Sequence, residues 1–132
     1  MRGMLCVAAA LAALAGTAHA QPAAQGARPA NQCFYVNQME GWRALDDKTI
    51  YVRANLKDVY RLDMSGSCPA LTDPDAHLIT KTRGSDLVCS ALDWDLKVAD
   101  SGRGSIPTPC IVGSMRKLTP AEAAAIPKKY RP

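Results

Sequence analysis

The sequence predicts a mainly β fold: a small antiparallel barrel or sandwich of six to seven short strands, one short C-terminal helix and two disulfides. Three observations predict it. Short runs rich in Val, Ile, Tyr and Thr recur between turn-forming clusters of Gly, Pro, Asp and Ser. Four widely spaced cysteines follow an apparent export signal, as in small disulfide-stapled domains. The one clear helix start is the capping box Thr119-Pro120-Ala121-Glu122, close to the C-terminus.

The N-terminus carries the signals that decide the compartment. Arg2 gives a positive start, Met4–Leu14 is nearly unbroken apolar sequence, and Ala18-His19-Ala20 supplies the small-x-small pattern of a cleavage site. The apolar run is about half the roughly 20 residues needed to span a bilayer, and no second run follows. Residues 1–20 are therefore expected to be a signal peptide, with cleavage after Ala20 and a periplasmic or secreted product. Cys6 lies ahead of the apolar core without a lipobox, so it leaves with the signal. Residues 21–32, rich in Pro, Ala, Gln and Gly, read as a flexible leader. Residues 33–126 form the expected single domain, and 127–132 a basic tail exposed to solvent.

The cysteines that remain are Cys33, Cys68, Cys89 and Cys110. They lack the close pairs of a structural zinc site and leave no odd thiol for catalysis. Three pairings are open. The favoured one joins Cys33 to Cys110 and Cys68 to Cys89, on the expectation that the first and last strands are neighbours.

Along the domain, Cys33–Met39 and Trp42–Leu45 read as strands separated by a bend at Gly41. Thr49–Ala54 and Asp58–Met64 read as a hairpin. Pairing Ala54 with Asp58 sets Val52 opposite Tyr60 and Ile50 opposite Leu62, an apolar face. It leaves Tyr51 opposite Arg61 and Thr49 opposite Asp63 on the other face. A one-residue slip would mix the faces, which burial forbids. His77–Thr82 and Asp86–Ser90 read as a second hairpin around Arg83-Gly84-Ser85. Leu92, Trp94, Leu96 and Val98 alternate as one inward face. Asp100–Ser105 is a Gly-rich turn, Thr108–Leu118 holds the last strand, and Pro127 ends the helix.

The chain carries 16 Lys and Arg against 12 Asp and Glu, a formal net charge of +4. The charges are interspersed, without the basic face and interleaved aromatics of a nucleic-acid binder. Asp73, Asp75 and His77 have metal-compatible types, but Asp73-Pro74-Asp75 is natural turn sequence. His77 lacks a nucleophile elbow, Asp93 and Asp95 share an outer row with Lys97, and Gly102-Arg103-Gly104 lacks a P-loop lysine. No catalytic residue, cofactor or metal is expected. The remaining candidate is an exposed anion-binding face of Arg53, Arg61 and Tyr51, with Arg43 nearby; guanidinium and phenol together suit phosphates and carboxylates.

Several of these segments resemble a family of small exported proteins from Gram-negative bacteria known only as a domain of unknown function. The resemblance rests on Cys33, Gly41-Trp42-Arg43-Ala44-Leu45-Asp46-Asp47, Thr49–Arg53, Cys68-Pro69-Ala70-Leu71, Cys89, Asp95–Val98, Cys110-Ile111-Val112 and Leu118-Thr119-Pro120. It covers about Cys33 to Ile126 and implies export and a β-rich domain without an assigned activity. The functional expectation is a non-catalytic binding or envelope-associated module whose partner is an envelope protein or an anionic envelope component. The alternatives are a small cell-envelope hydrolase built on His77, or an inhibitor or accessory subunit docking through one loop.

Overall fold

The computed structural model describes residues 32–102 and 105–132; the expected signal peptide and nearly all of the leader lie outside the described residues. Among the described residues nine strands form: β1 (Phe34–Tyr35), β2 (Met39–Ala44), β3 (Thr49–Ala54), β4 (Asp58–Met64), β5 (His77–Thr82), β6 (Leu87–Val88), β7 (Trp94–Ala99), β8 (Thr108–Cys110) and β9 (Val112–Lys117), with one α-helix, α1, over Pro120–Ala125. The strands make three antiparallel sheets, ordered β2-β3-β4-β9, β5-β7-β8 and β1-β6. The mainly β expectation holds, with more and shorter strands than the six to seven expected.

One strand bend organises the molecule. Cys110 ends β8 in the three-stranded sheet and Val112 begins β9 in the four-stranded one. Between them Ile111 is 72% exposed, and its carbonyl accepts the Ser65 N–H at 2.9 Å. The two larger sheets are thus joined edge to edge through β8 and β9. The turn leading into β2 lies against β5, so the joined sheet wraps around one core. Gly113 sits at this junction because a Cβ there would stand 3.1 Å from the Ser65 backbone nitrogen.

The core takes alternate residues from each strand: Ile50 and Val52, Tyr60 and Leu62, Trp94, Leu96 and Val98, with Phe34, Leu71 and Val88 closing it. Phe34 meets Tyr60 with ring centroids 4.6 Å apart, tilted as aromatic pairs prefer. Trp94 Nε1 donates to Met115 Sδ at 3.2 Å. The β3–β4 register is as the face argument required, from Ala54 opposite Asp58 to Thr49 opposite Asp63. Its loop carries Asn55 at φ 54° and Leu56 at φ 70°.

Four expectations are corrected. The bridges are Cys33–Cys89 and Cys68–Cys110, not Cys33–Cys110 and Cys68–Cys89. The first and last strands are not neighbours. Instead Phe34 pairs with Val88, which sets Cys33 beside Cys89. The Ser65–Ile111 bond likewise brings the chain after β4 to the end of β8. Second, β5 and β6 do not form a hairpin, since β5 pairs with β7 and β6 with β1. Third, Leu92 does not face inward: it lies in a 3-10 turn at Ala91–Asp93 and is 73% exposed. Fourth, the tail is not simply solvated. Lys128–Tyr130 is a 3-10 turn, Tyr130 packs on the outer face of the four-stranded sheet, and Arg131 Nη2 donates to the Ala124 and Ile126 carbonyls at 2.8 Å.

Candidate functional site

The outer face of the four-stranded sheet is organised by register. Arg43 on β2 pairs with Tyr51 on β3, Tyr51 with Arg61 on β4, and Arg61 with Arg116 on β9. Directly opposed residues project from the same side of a sheet, so these four form one row across all four strands. Tyr51, Arg61 and Arg43 of the expected face thus share one row, but that row is not open. Tyr51 is only 9% exposed because α1 and its flanks cover it: Tyr51, Val59, Leu118 and Ile126 form a second small cluster with Ala123 and Tyr130 against it. The Thr119 cap seats the helix there, its hydroxyl accepting the Glu122 N–H while Glu122 Oε2 accepts the Thr119 N–H at 2.8 Å.

What stays accessible is a cavity of about 230 Å³ between the row and α1, lined by Tyr51, Arg61, Arg116, Glu122 and Ile126 among others. Both guanidiniums are held. Arg61 donates through Nε at 2.9 Å and Nη2 at 2.8 Å to Asp63 Oδ1. Arg116 Nη1 donates to Glu122 Oε1 at 2.9 Å. In the next row, Asp63 also accepts from Thr49 Oγ1 at 3.1 Å and Ser114 Oγ at 3.2 Å. Burial pushes the Asp63 carboxyl up, but bonds from Arg61, Thr49 and Ser114 outweigh it and hold it below the usual carboxylate value. The Arg61 guanidinium is raised, chiefly by its bond to Asp63.

Arg53 is on the same face but engaged elsewhere. Its Nε donates to Glu40 Oε2 at 3.1 Å and its Nη1 to the Pro132 carbonyl at 3.2 Å. It clamps the chain's last residue against β2 and β3 and does not line the cavity. Arg116, which does, was not singled out from the sequence: its register against Arg61 spans 55 positions of sequence and has no local signal.

The other candidates separate. His77 stands exposed at the start of β5 opposite Ala99, and its side chain makes no hydrogen bond or ion pair among the described residues. Asp73 Oδ1 accepts the Asp75 N–H at 3.2 Å, a turn contact. Among the described residues no group of three His, Cys, Asp or Glu side chains is placed to hold a metal ion. Asp93 Oδ2 accepts from the Cys89 and Ser90 N–H groups at 3.0 and 2.8 Å, capping its own turn, whereas Asp95 lies on β7.

The most distinctive motifs are structural. Asp46 Oδ1 accepts the Lys48 and Thr49 N–H groups at 2.9 and 2.8 Å, closing the β2–β3 turn. Asp47 accepts the Ser67 hydroxyl through its carboxylate and the Cys68 N–H through its carbonyl at 2.8 Å. Leu45-Asp46-Asp47 and Cys68-Pro69-Ala70-Leu71 are thus locked together beside the Cys68–Cys110 bridge.

No curated protein and no solved structure matches the chain. Residues 1–131 match the profile of a family of unknown function, DUF6491, and the chain belongs to that family.

Proposed function

We propose that the chain is a non-catalytic, envelope-associated binding module that recognises an anionic group at the cavity between α1 and the Arg43–Tyr51–Arg61–Arg116 row. The observation that carries this reading is the placement of two guanidiniums beside a tyrosine ring in one recess. Each guanidinium has five donors in a planar fork. Arg61 spends two on Asp63 and Arg116 one on Glu122, and the rest are available to a phosphate or carboxylate. The two existing ion pairs fix the forks in place, which lowers the ordering cost of binding. The hydrolase alternative needs His77 in a cleft among carboxylates, and its exposed position on β5 supports no such centre.

The test replaces both arginines with lysine, which keeps charge and loses the fork. Calorimetric titration of the oxidised chain with inorganic pyrophosphate at low salt should show millimolar binding that weakens about tenfold in the Arg61→Lys, Arg116→Lys variant. Because lysine keeps both charge pairs at this half-exposed face, the thermal midpoint should fall by no more than about 5 °C. Equal affinity in the two proteins, or no binding by the parent, sinks the proposal.

A further inference from the structure

Strand β2 ends the order of its sheet, so among the described residues its outer backbone edge has no neighbouring strand. The hydrogen-bond phase of that edge can be worked out. The Leu45 N–H donates to the Thr49 carbonyl at 2.9 Å, which marks that pair as hydrogen-bonded. Antiparallel pairs alternate, so Arg43 and Tyr51 are bonded, while Trp42 opposite Val52 and Ala44 opposite Ile50 are not. The N–H and C=O groups of Trp42 and Ala44 therefore point away from β3. Among the described residues the Trp42 carbonyl accepts only the Arg43 Nη1, at 3.5 Å.

That edge is the wall of a groove of about 350 Å³. Trp42, Arg43, Ala44 and Leu45 all line it, although Trp42 and Ala44 project to one face of the sheet and Arg43 and Leu45 to the other. Only a groove running along the backbone edge touches all four. Its other sides are the 71–74 turn, which brings Asp73 to the wall, Ala76 and Tyr130. Arg43 is exposed and has no acidic partner among the described residues, and Lys129 Nζ lies 4.5 Å from the Tyr130 ring centroid.

We infer that this groove receives an extended peptide segment of a partner protein, which adds as a strand to β2 and places a carboxylate side chain against Arg43. Two residues offering alternate N–H and C=O groups along one line are matched by another strand. Arg43, the cation in the lining, takes a carboxylate at its own position, whereas Asp73 on the facing turn disfavours a second one there. This site is separate from the Arg61–Arg116 cavity and does not depend on it.

The test selects binders from a displayed library of random decapeptides on the oxidised full chain, then measures the best peptide in solution. The expected peptide is rich in β-branched residues with one carboxylate at the position facing Arg43, and perturbs the amides of Trp42 and Ala44. Ala44→Pro removes an edge donor that faces away from β3, a substitution edge strands tolerate. It should weaken binding at least about tenfold, whereas Arg61→Lys should leave it unchanged. On the ligand side, N-methylating alternate peptide amides should abolish binding in one frame and spare it in the other. Failure to select any peptide, undiminished binding to a folded Ala44→Pro chain, or equal effects of the two N-methyl frames would overturn the inference. So would self-association of the chain through β2 in the absence of peptide.

Discussion

Replacing Cys68 and Cys110 together with alanine is expected to cost about 4–5 kcal/mol. The bridge closes a loop with a sequence separation of 42, which in the chain-entropy picture contributes about 4 kcal/mol by restricting the unfolded chain. Both sulfurs lie in the core, each residue 4% exposed, so the substitution also removes buried apolar volume. Stabilities of domains this size are about 5–15 kcal/mol, so the variant should be marginal. The assay is urea unfolding followed by the fluorescence of Trp42 and Trp94, with the Cys33–Cys89 bridge intact. The midpoint should fall sharply, and the slope should rise because the unlinked chain exposes more surface on unfolding. A loss below about 1 kcal/mol with an unchanged slope would refute the claim that this bridge holds the β8–β9 bend.

Other substitutions and pH test separate parts of the fold. Tyr60→Phe should change stability by less than about 1 kcal/mol, because the fully buried Tyr60 hydroxyl has no partner among the described residues; a loss above that would reveal one. Leu56→Gly should stabilise by about 1 kcal/mol in thermal melts, since a leucine at φ 70° is strained and glycine is not; destabilisation would mean the exposed side chain makes a contact that matters. Acid should destabilise the chain. Burial raises the Asp58 carboxyl, but the bonds from Lys117 and Asn55 more than offset this, and Asp63 behaves alike, so both are lowered. A lowered folded value gives stability that is present above the unfolded value, near 3.8, and lost as pH falls through the folded one. Melting points should therefore hold from neutrality down to about pH 5 and drop below about pH 4, a drop that Asp63→Asn should reduce.

Local pattern was enough for some of this fold and could not reach the rest. The β3–β4 register was legible because its partners are separated by three loop residues and alternate in polarity, so only one phase buries Ile50, Val52, Tyr60 and Leu62 together. The α1 cap was legible for the same reason: Thr119, Pro120 and Glu122 act on one another. By contrast, β6 contains two residues and pairs with β1 across more than 50 positions, so nothing local distinguishes it from a hairpin partner of β5. The disulfide pairing depends on that same long-range contact. The outer sheet face was read as exposed because its polar and aromatic residues alternate outward. Its cover comes from Ala123, Ile126 and Tyr130, whose apolar surface is too sparse to announce a docking face. Arg116 entered the candidate site through the bend at Ile111, which re-registers β9 against β4 and which no periodicity marks.

Arg61 and Arg116, brought together by that bend, are proposed to face one anionic ligand jointly, and the side-chain Nε–H resonances of these two arginines during pyrophosphate titration of the oxidised protein decide it. Both should shift along one saturable curve while the Arg53 resonance, tied to Glu40 and Pro132, stays fixed. Movement of Arg53 with Arg61 and Arg116 silent would contradict it.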